Sequence, residues 1–225
     1  VIELEGVSYS YGGGDLLREI DLTLAPGSFH FLTGPSGAGK TTLLRLCYAA
    51  LRPTAGRIGL FGRDLAQMDR DGVARARRRI GVVHQDCQFL DHLPVAENVA
   101  LPVAVSETGR TADAENLAEL LAWVGLSARA QALPPELSGG ERQRAALARA
   151  VIMSPDVILA DEPTGNVDWE MSQRLMQLLI ELNRLGKAVL LATHDLALIR
   201  ATKPHVQARV LRIADRRLSV AGAEL

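Results

Sequence analysis

The sequence predicts an α/β fold built on a largely parallel sheet. Two short apolar runs, residues 157–160 and Ala188–Ala192, carry no polar residue, as strands buried on both faces do not. Strand-like runs alternate with segments of helical spacing. A glycine-rich stretch, residues 34–39, joins one strand to one helix.

Taken in order, residues 1–11 alternate apolar and polar and read as a half-exposed strand. Tyr11-Gly12-Gly13-Gly14-Asp15 is a turn. Alternation returns at residues 20–24, and Ala25-Pro26-Gly27 turns the chain into a strand over Phe29–Thr33. Residues 41–51 read as a helix stopped by Arg52-Pro53. Short strands are expected at residues 57–61 and 80–83. Leu117, Leu120, Leu121 and Val124 give a helix over about residues 112–124. Further helices are expected over residues 139–153, up to Pro155, and over 172–185, up to Gly186. Residues 209–213 and 218–220 look like a closing hairpin. No repeat, low-complexity tract or linker interrupts this order, so one domain with a helical insertion is expected.

With 225 residues the chain can bury a sizeable core without a disulfide or metal staple. Its 48% apolar and 23% charged residues exclude a disordered chain, a collagen-like repeat and a coiled coil. A net charge of -1 gives no electrostatic footprint for nucleic acid. No apolar run approaches the ~18 residues of a membrane span. Val1-Ile2-Glu3-Leu4-Glu5 lacks the zones of a signal peptide. The expectation is a soluble, cytoplasmic chain that touches a membrane only through another protein. Cys47 and Cys87 have neither zinc nor disulfide spacing and read as free thiols.

Three motifs carry chemistry. Gly34-Pro35-Ser36-Gly37-Ala38-Gly39-Lys40-Thr41 fits the phosphate-loop pattern and lies between a strand and a helix, where its mechanism requires it. Glycines let the backbone wrap phosphates, and backbone N–H groups with the helix N-terminus meet the negative charge. Lys40 would reach the β and γ phosphates, and the Thr41 hydroxyl would ligate Mg²⁺; Thr42 adjoins the same site. Secondly, the strand at residues 157–160 ends in Asp161 and Glu162, at the sheet end where ligands bind. Asp161 would hold Mg²⁺ and Glu162 would polarise the attacking water. Thirdly, Leu137-Ser138-Gly139-Gly140-Glu141-Arg142-Gln143-Arg144 contains a capping-box pattern, Ser138 with Glu141. A plain helix start explains that pair but not the glycine pair followed by Glu-Arg-Gln-Arg.

That third motif closely resembles the signature of the ATP-binding-cassette (ABC) ATPases. Further family marks occur in order along essentially the whole chain. Tyr11 matches the adenine-stacking aromatic, Gln85 the Q-loop glutamine, Gly165-Asn166-Val167-Asp168 the D-loop and His194 the switch histidine. The resemblance implies a P-loop NTPase core of RecA-like type, with an antiparallel β subdomain and an inserted α-helical subdomain. The core would take about residues 1–85 and 155–225, and the helical subdomain about residues 86–154. It implies ATP and Mg²⁺ as cofactors and a homodimer in the ATP-bound state. Ser138, Gly139 and Gly140 of one copy would cap the γ-phosphate held by the other, with Asp168 at the same junction. Glu162 would be the general base, His194 would hold phosphate and water in line, and Gln85 would contact Mg²⁺ and sense a partner.

Residues 86–102 and 160–166 resemble the branch that contains cell-division and lipoprotein-release ATPases, and residues 178–186 and 191–199 look most like its cell-division members. The resemblance therefore implies an FtsX-like membrane subunit, reached at the cytoplasmic face of a bacterial inner membrane. The alternatives are another transporter of that branch and, from a different class, a soluble P-loop kinase, which would have no use for the signature. His84, Val167 and Glu136 depart from common family residues without removing a catalytic group. His30, His84, His92 and His205 read as structural or solvated, Trp123 as core, Trp169 as a dimer-interface contact, and the basic run from Arg75 to Arg79 as a solvated helix face.

Overall fold

The computed structural model describes residues 1–106, 114–165 and 167–221. In chain order its elements are β1 (Ile2–Ser10), β2 (Asp15–Leu24), β3 (Phe29–Thr33), α1 (Lys40–Cys47), β4 (Ala55–Leu60), β5 (Arg63–Asp64), α2 (Arg70–Arg78) and β6 (Ile80–Val83). There follow α3 (Val95–Ala104), α4 (Ala114–Trp123), α5 (Gly139–Val151), β7 (Val157–Asp161), α6 (Trp169–Arg184), β8 (Ala188–Ala192), α7 (Leu196–Thr202), β9 (Ala208–Ala214) and β10 (Arg217–Val220).

Two sheets result. An antiparallel sheet has the order β2-β1-β4-β5, and a larger sheet has the order β10-β9-β3-β8-β7-β6. In the larger sheet every pairing is parallel except the β9–β10 hairpin. Every residue of β3, β7 and β8 is buried, which is why residues 157–160 of β7 and all of β8 are apolar without alternation; β3 carries His30 and Thr33 as buried polar residues. Successive side chains still point to opposite faces. Leu32, Leu159 and Leu190 pack towards α1 and the antiparallel sheet. Phe31, Ile158 and Val189 pack on the other face, with α6 and α7. A third cluster, with Val95, Val99, Leu121, Leu126 and Ala145, joins α3, α4 and α5, and α5 also packs on the sheet through Ala146, Leu147 and Val151.

Several boundaries differ from the sequence reading. Helix α1 ends at Cys47, short of residue 51, because Ala49 takes a left-handed conformation at φ 58. Helix α6 starts earlier than residue 172, because Asp168 caps it by accepting from the Met171 N–H at 2.8 Å. Helices α3 and α7 were not read from the sequence: α3 carries an internal Pro102, and α7 spans only 7 residues. Of the helix expected over about 112–124, residues 112 and 113 lie outside the described residues, as does Asn166 of the D-loop.

The basic run is not simply solvated. Arg77 donates to the carbonyls of Ala49 at 2.6 Å and Tyr48 at 3.2 Å, anchoring α2 to the end of α1. Arg79 lies 3.8 Å over the Phe61 ring and pairs with Asp156 at 2.7 Å. Trp123 is half-buried and donates its Nε1–H to Glu181 at 3.1 Å. Trp169 is exposed at the start of α6. Both cysteines are free and buried. Burial pushes the Cys47 thiol up to about 12 and also raises Cys87, so neither is a ready nucleophile.

His30, in β3, is 5% exposed and its Nδ1 has no hydrogen-bond partner. Burial, then the charge of its cross-strand neighbour Arg209, hold its pKa below the usual histidine value. The unfolded chain therefore takes up a proton on acidification that the folded chain refuses. Stability is predicted to fall as pH drops through about 6.5. His84 is shifted the same way and contributes to the same slope. In urea unfolding at about pH 7.5 and about pH 5.5, His30→Leu is expected to lose less stability between the two than the wild type. An equal loss would refute the assignment.

Candidate active site

The loop from β3 to α1 is dictated by its glycines. Gly37 and Gly39 take φ 77 and 102, a region that favours glycine. At Gly34 a Cβ would stand 2.7 Å from the Ile213 carbonyl oxygen, so the loop can pack this closely on β9 only without a side chain. Among the described residues no side chain caps α1, whose N-cap is Gly39. Its first N–H groups and dipole are thus free to meet an anion.

This loop forms one wall of a cleft of about 660 Å³. Gly34, Pro35, Ser36, Gly37, Gly39, Lys40, Thr41 and Thr42 line it from one side, and Gln85, Asp161, Glu162, Gly165 and His194 from the other. The sheet explains the gathering. Strands β3, β8 and β7 are neighbours, with Leu32 and Asp161 both in register with Ala192. Their carboxyl ends are therefore level, where open α/β sheets bind ligands. Lys40 donates to the Gly34 carbonyl at 2.9 Å and lies 3.9 Å from Glu162. Glu162 Oε1 is 3.0 Å from His194 Nδ1. The Glu162 carboxylate is 13% exposed, whereas the His194 side chain is 75% exposed. Glu162 has φ 46, a strained value for a non-glycine residue. Its N–H bonds the Ala192 carbonyl at 2.9 Å, tying the strained residue to the end of β8.

Tyr11 and Ala38 are placed apart from that cleft. They line an adjoining hollow of about 480 Å³, which shares Leu16, Pro35 and Gly37 with it. The Tyr11 hydroxyl is 3.3 Å from Thr42 Oγ1, and the residue is 61% exposed. Ser138, Gly139, Gly140 and Asp168 do not line the phosphate-loop cleft among the described residues. They sit together elsewhere: Gly140 abuts Met171, where a Cβ would meet the side chain at 2.9 Å, and Asp168 caps the same turn. The capping box is formed, with the Ser138 hydroxyl accepting from the Glu141 N–H at 3.2 Å. In return, Glu141 accepts from the Ser138 N–H at 2.8 Å. That backbone bond is the main reason the Glu141 pKa is lowered.

Sequence reasoning missed the residues that tie α5 to the segment after Gln85. Gln143 donates to the Gln85 carbonyl at 3.3 Å. Arg149 donates to the carbonyls of Cys87 and, at 2.8 Å, of Gln88. Those two residues have φ 52 and 39. Arg142 and Arg149 also lie over the Phe89 ring at 5.6 and 4.7 Å. The sequence shows only two arginines two turns apart on one helix and one aromatic, Phe89, within residues 86–102; the main-chain acceptors leave no residue pattern to read.

Compared with known proteins, the chain matches the ABC transporter family over residues 17–165. It belongs to that family. The cell division ATP-binding protein FtsE of Escherichia coli (strain K12) is 42% identical over 200 residues, covering 88% of this chain and 90% of the relative. FtsE of Bacillus subtilis (strain 168) is 39% identical over 216 residues, covering 96% and 93%. Among solved structures, the dimeric post-hydrolysis state of the ATP-binding cassette MJ0796, bound to ADP and Pi, superposes with TM-score 0.86 at 32% identity over 97% of both chains. The chain is an ABC-type ATPase: it binds and hydrolyses ATP.

Arg149→Ala is predicted to leave the carbonyl of buried Cys87 without its donor, water replacing the bond to exposed Gln88, and to lower stability by about 1–3 kcal/mol. Denaturant unfolding measures this, and ATP turnover should fall with it. An unchanged midpoint with unchanged turnover would show that the clamp does not hold this segment.

Proposed function

We propose that two copies of this chain close around two ATP molecules and drive an FtsX-like membrane subunit in bacterial cell division, controlling peptidoglycan hydrolysis. The reading rests on similarity to FtsE over most of the chain in two distant bacteria. The observation that carries the chemistry is the contact line Lys40–Glu162–His194 across one cleft. The chain would lie at the cytoplasmic face of the inner membrane, held there by its partner. Among the described residues no helix is long and apolar enough to cross a membrane. We read residues 1–85 and 155–225 as the core and 86–154 as the helical subdomain, a reading supported by the cluster that joins α3, α4 and α5.

In this reading the residues from Gly34 to Gly39 wrap the phosphates with backbone N–H groups, and Lys40 supplies the counter-charge. Thr42 sits beside the phosphates and Tyr11 stacks on the base. A site for Mg²⁺ fits the oxygen donors that share the cleft: the Thr41 hydroxyl, the buried Asp161 carboxylate and the Gln85 amide. Few protein ligands suit this ion, which takes phosphate oxygens and water for the rest. When bound it would neutralise phosphate charge. Glu162 accepts the proton of the attacking water. His194, 3.0 Å from Glu162, orients that water and the γ-phosphate. Ser138, Gly139 and Gly140 present the N-terminus of α5 to the γ-phosphate of the second copy, and Asp168 borders that junction.

Glu162→Gln keeps the size of the side chain and removes the base. Its turnover is predicted to fall ~10²–10⁴-fold while MgATP binding persists. Size-exclusion chromatography with MgATP is expected to show a trapped dimer. Full turnover would remove Glu162 from the mechanism. Lys40→Ala should weaken ATP binding itself, read by equilibrium titration. Affinity capture of the Glu162→Gln variant from native membranes is expected to recover an FtsX-like protein. Recovery of a lipoprotein-release or exporter subunit instead would overturn the division role and leave the ATPase mechanism standing.

A further inference from the structure

The hollow beside the phosphate loop lies between the two sheets. One wall is the turn after β1, with Tyr11, Gly13, Gly14, Asp15 and Leu16. The facing wall is the β9–β10 turn, with Ile213, Ala214, Asp215 and Arg216. Gly34 fixes that second wall to the phosphate loop, through its close approach to the Ile213 carbonyl at 2.7 Å from an ideal Cβ. A ligand whose phosphates occupy the loop thus has its remaining part directed between these walls. Charge favours the same orientation: Lys40 stands in the phosphate cleft, whereas the hollow holds two carboxylates, Asp15 and Asp215, against one cation, Arg216.

The hairpin turn is unusual for its residues. Ala214 pairs with Arg217, so Asp215 and Arg216 form a two-residue connection, with φ 49 and 66. Such turns favour Asn-Gly or Asp-Gly, because both residues are left-handed. Aspartate tolerates this conformation, but arginine does so poorly. The Arg216 backbone is held, its carbonyl accepting from the Arg18 N–H at 2.7 Å. Among the described residues its guanidinium has no hydrogen bond or ion pair, whereas the neighbouring Arg217 pairs with Glu19 at 2.5 Å. The turn accepts a conformational cost at Arg216, and among the described residues no side-chain hydrogen bond or ion pair of Arg216 offsets it.

We propose that Arg216 is a nucleoside-binding residue, whose planar guanidinium covers the base from the hairpin wall while Tyr11 covers it from the other sheet. Guanidinium groups stack on flat π systems and donate to acceptor atoms at their edges. This rests on the reading of the cleft as the nucleotide site. It adds a residue that the phosphate motifs do not contain.

The test is equilibrium binding of MgATP and of magnesium tripolyphosphate to wild type, Arg216→Gly, Arg216→Lys and Tyr11→Ala. Glycine is the residue the turn itself favours, so Arg216→Gly keeps the hairpin. It is expected to weaken MgATP roughly tenfold while changing tripolyphosphate by less than about twofold. Arg216→Lys keeps the charge but not the flat face, and is expected to bind MgATP nearly as weakly as the glycine variant. An equal loss on both ligands would put the guanidinium on the phosphates and overturn the proposal. Unchanged MgATP affinity in Arg216→Gly alongside a loss in Tyr11→Ala would also overturn it. Unchanged affinity in both variants would overturn the nucleoside reading of the hollow as well.

Discussion

The level carboxyl ends of β3, β8 and β7 are the constraint on which the rest of the site depends. Leu32 and Asp161 both register with Ala192, and every residue in the three strands is buried. A one-residue slip would turn each side chain to the opposite face and break both cores. Hydrophobic packing therefore fixes the register, and the register fixes the chemistry. Residues that leave the three strand ends converge: Lys40 and Glu162 at 3.9 Å, Glu162 and His194 at 3.0 Å.

Helix α5 connects this convergence with a second, separate cluster. At its start, Gly140 rests on Met171 and the capping box fixes Ser138. In its middle, Gln143 holds the Gln85 carbonyl; towards its end, Arg149 holds those of Cys87 and Gln88. A helix is stiff over three turns. A displacement of its N-terminus must either carry the segment after Gln85 with it or break these bonds. Contacts within one chain thus link the glycine pair at Gly139 and Gly140 to the cleft they do not line.

The core of the fold was legible because it follows local rules. Strands buried on both faces leave continuous apolar runs, and a phosphate loop needs glycines at fixed spacing, so β7, β8 and the loop were readable directly, and β3 was readable between the turn at Ala25-Pro26-Gly27 and that loop. The capping box at Ser138 was readable for the same reason. Helix α3 was not, since Pro102 stands inside it and its residues follow no clear face. The Arg149 clamp was not readable either. Its partners are main-chain carbonyls some sixty residues away in sequence, and a carbonyl has no letter. The basic run at Arg77 and Arg79 misled for a related reason: its partners are the carbonyls after α1, an aromatic face and Asp156. In the site, the residue types were legible from the motifs, and the resemblance had already set Ser138, Gly139 and Gly140 apart from their own chain's phosphate loop; what the sequence did not show was that Tyr11 and Ala38 line an adjoining hollow and not the cleft itself.

The strain at Glu162 has a geometric purpose. Successive side chains of a strand point to opposite faces, so two adjacent acids at a strand end would normally be separated by the sheet. Asp161 and Glu162 nevertheless line one cleft. This is possible because Asp161 is the last residue of β7 and the chain leaves the strand at Glu162 with φ 46. The left-handed residue swings the second carboxylate back towards the side of the first. Two carboxylates brought together in this way need cationic or donor neighbours, and Glu162 has them in Lys40 and His194. A relaxed backbone at this position would send Glu162 away from the cleft and leave Asp161 alone there. The unfavourable conformation is thus the means by which one strand end supplies two acids to one cleft, and the bond from the Glu162 N–H to the Ala192 carbonyl holds it in place.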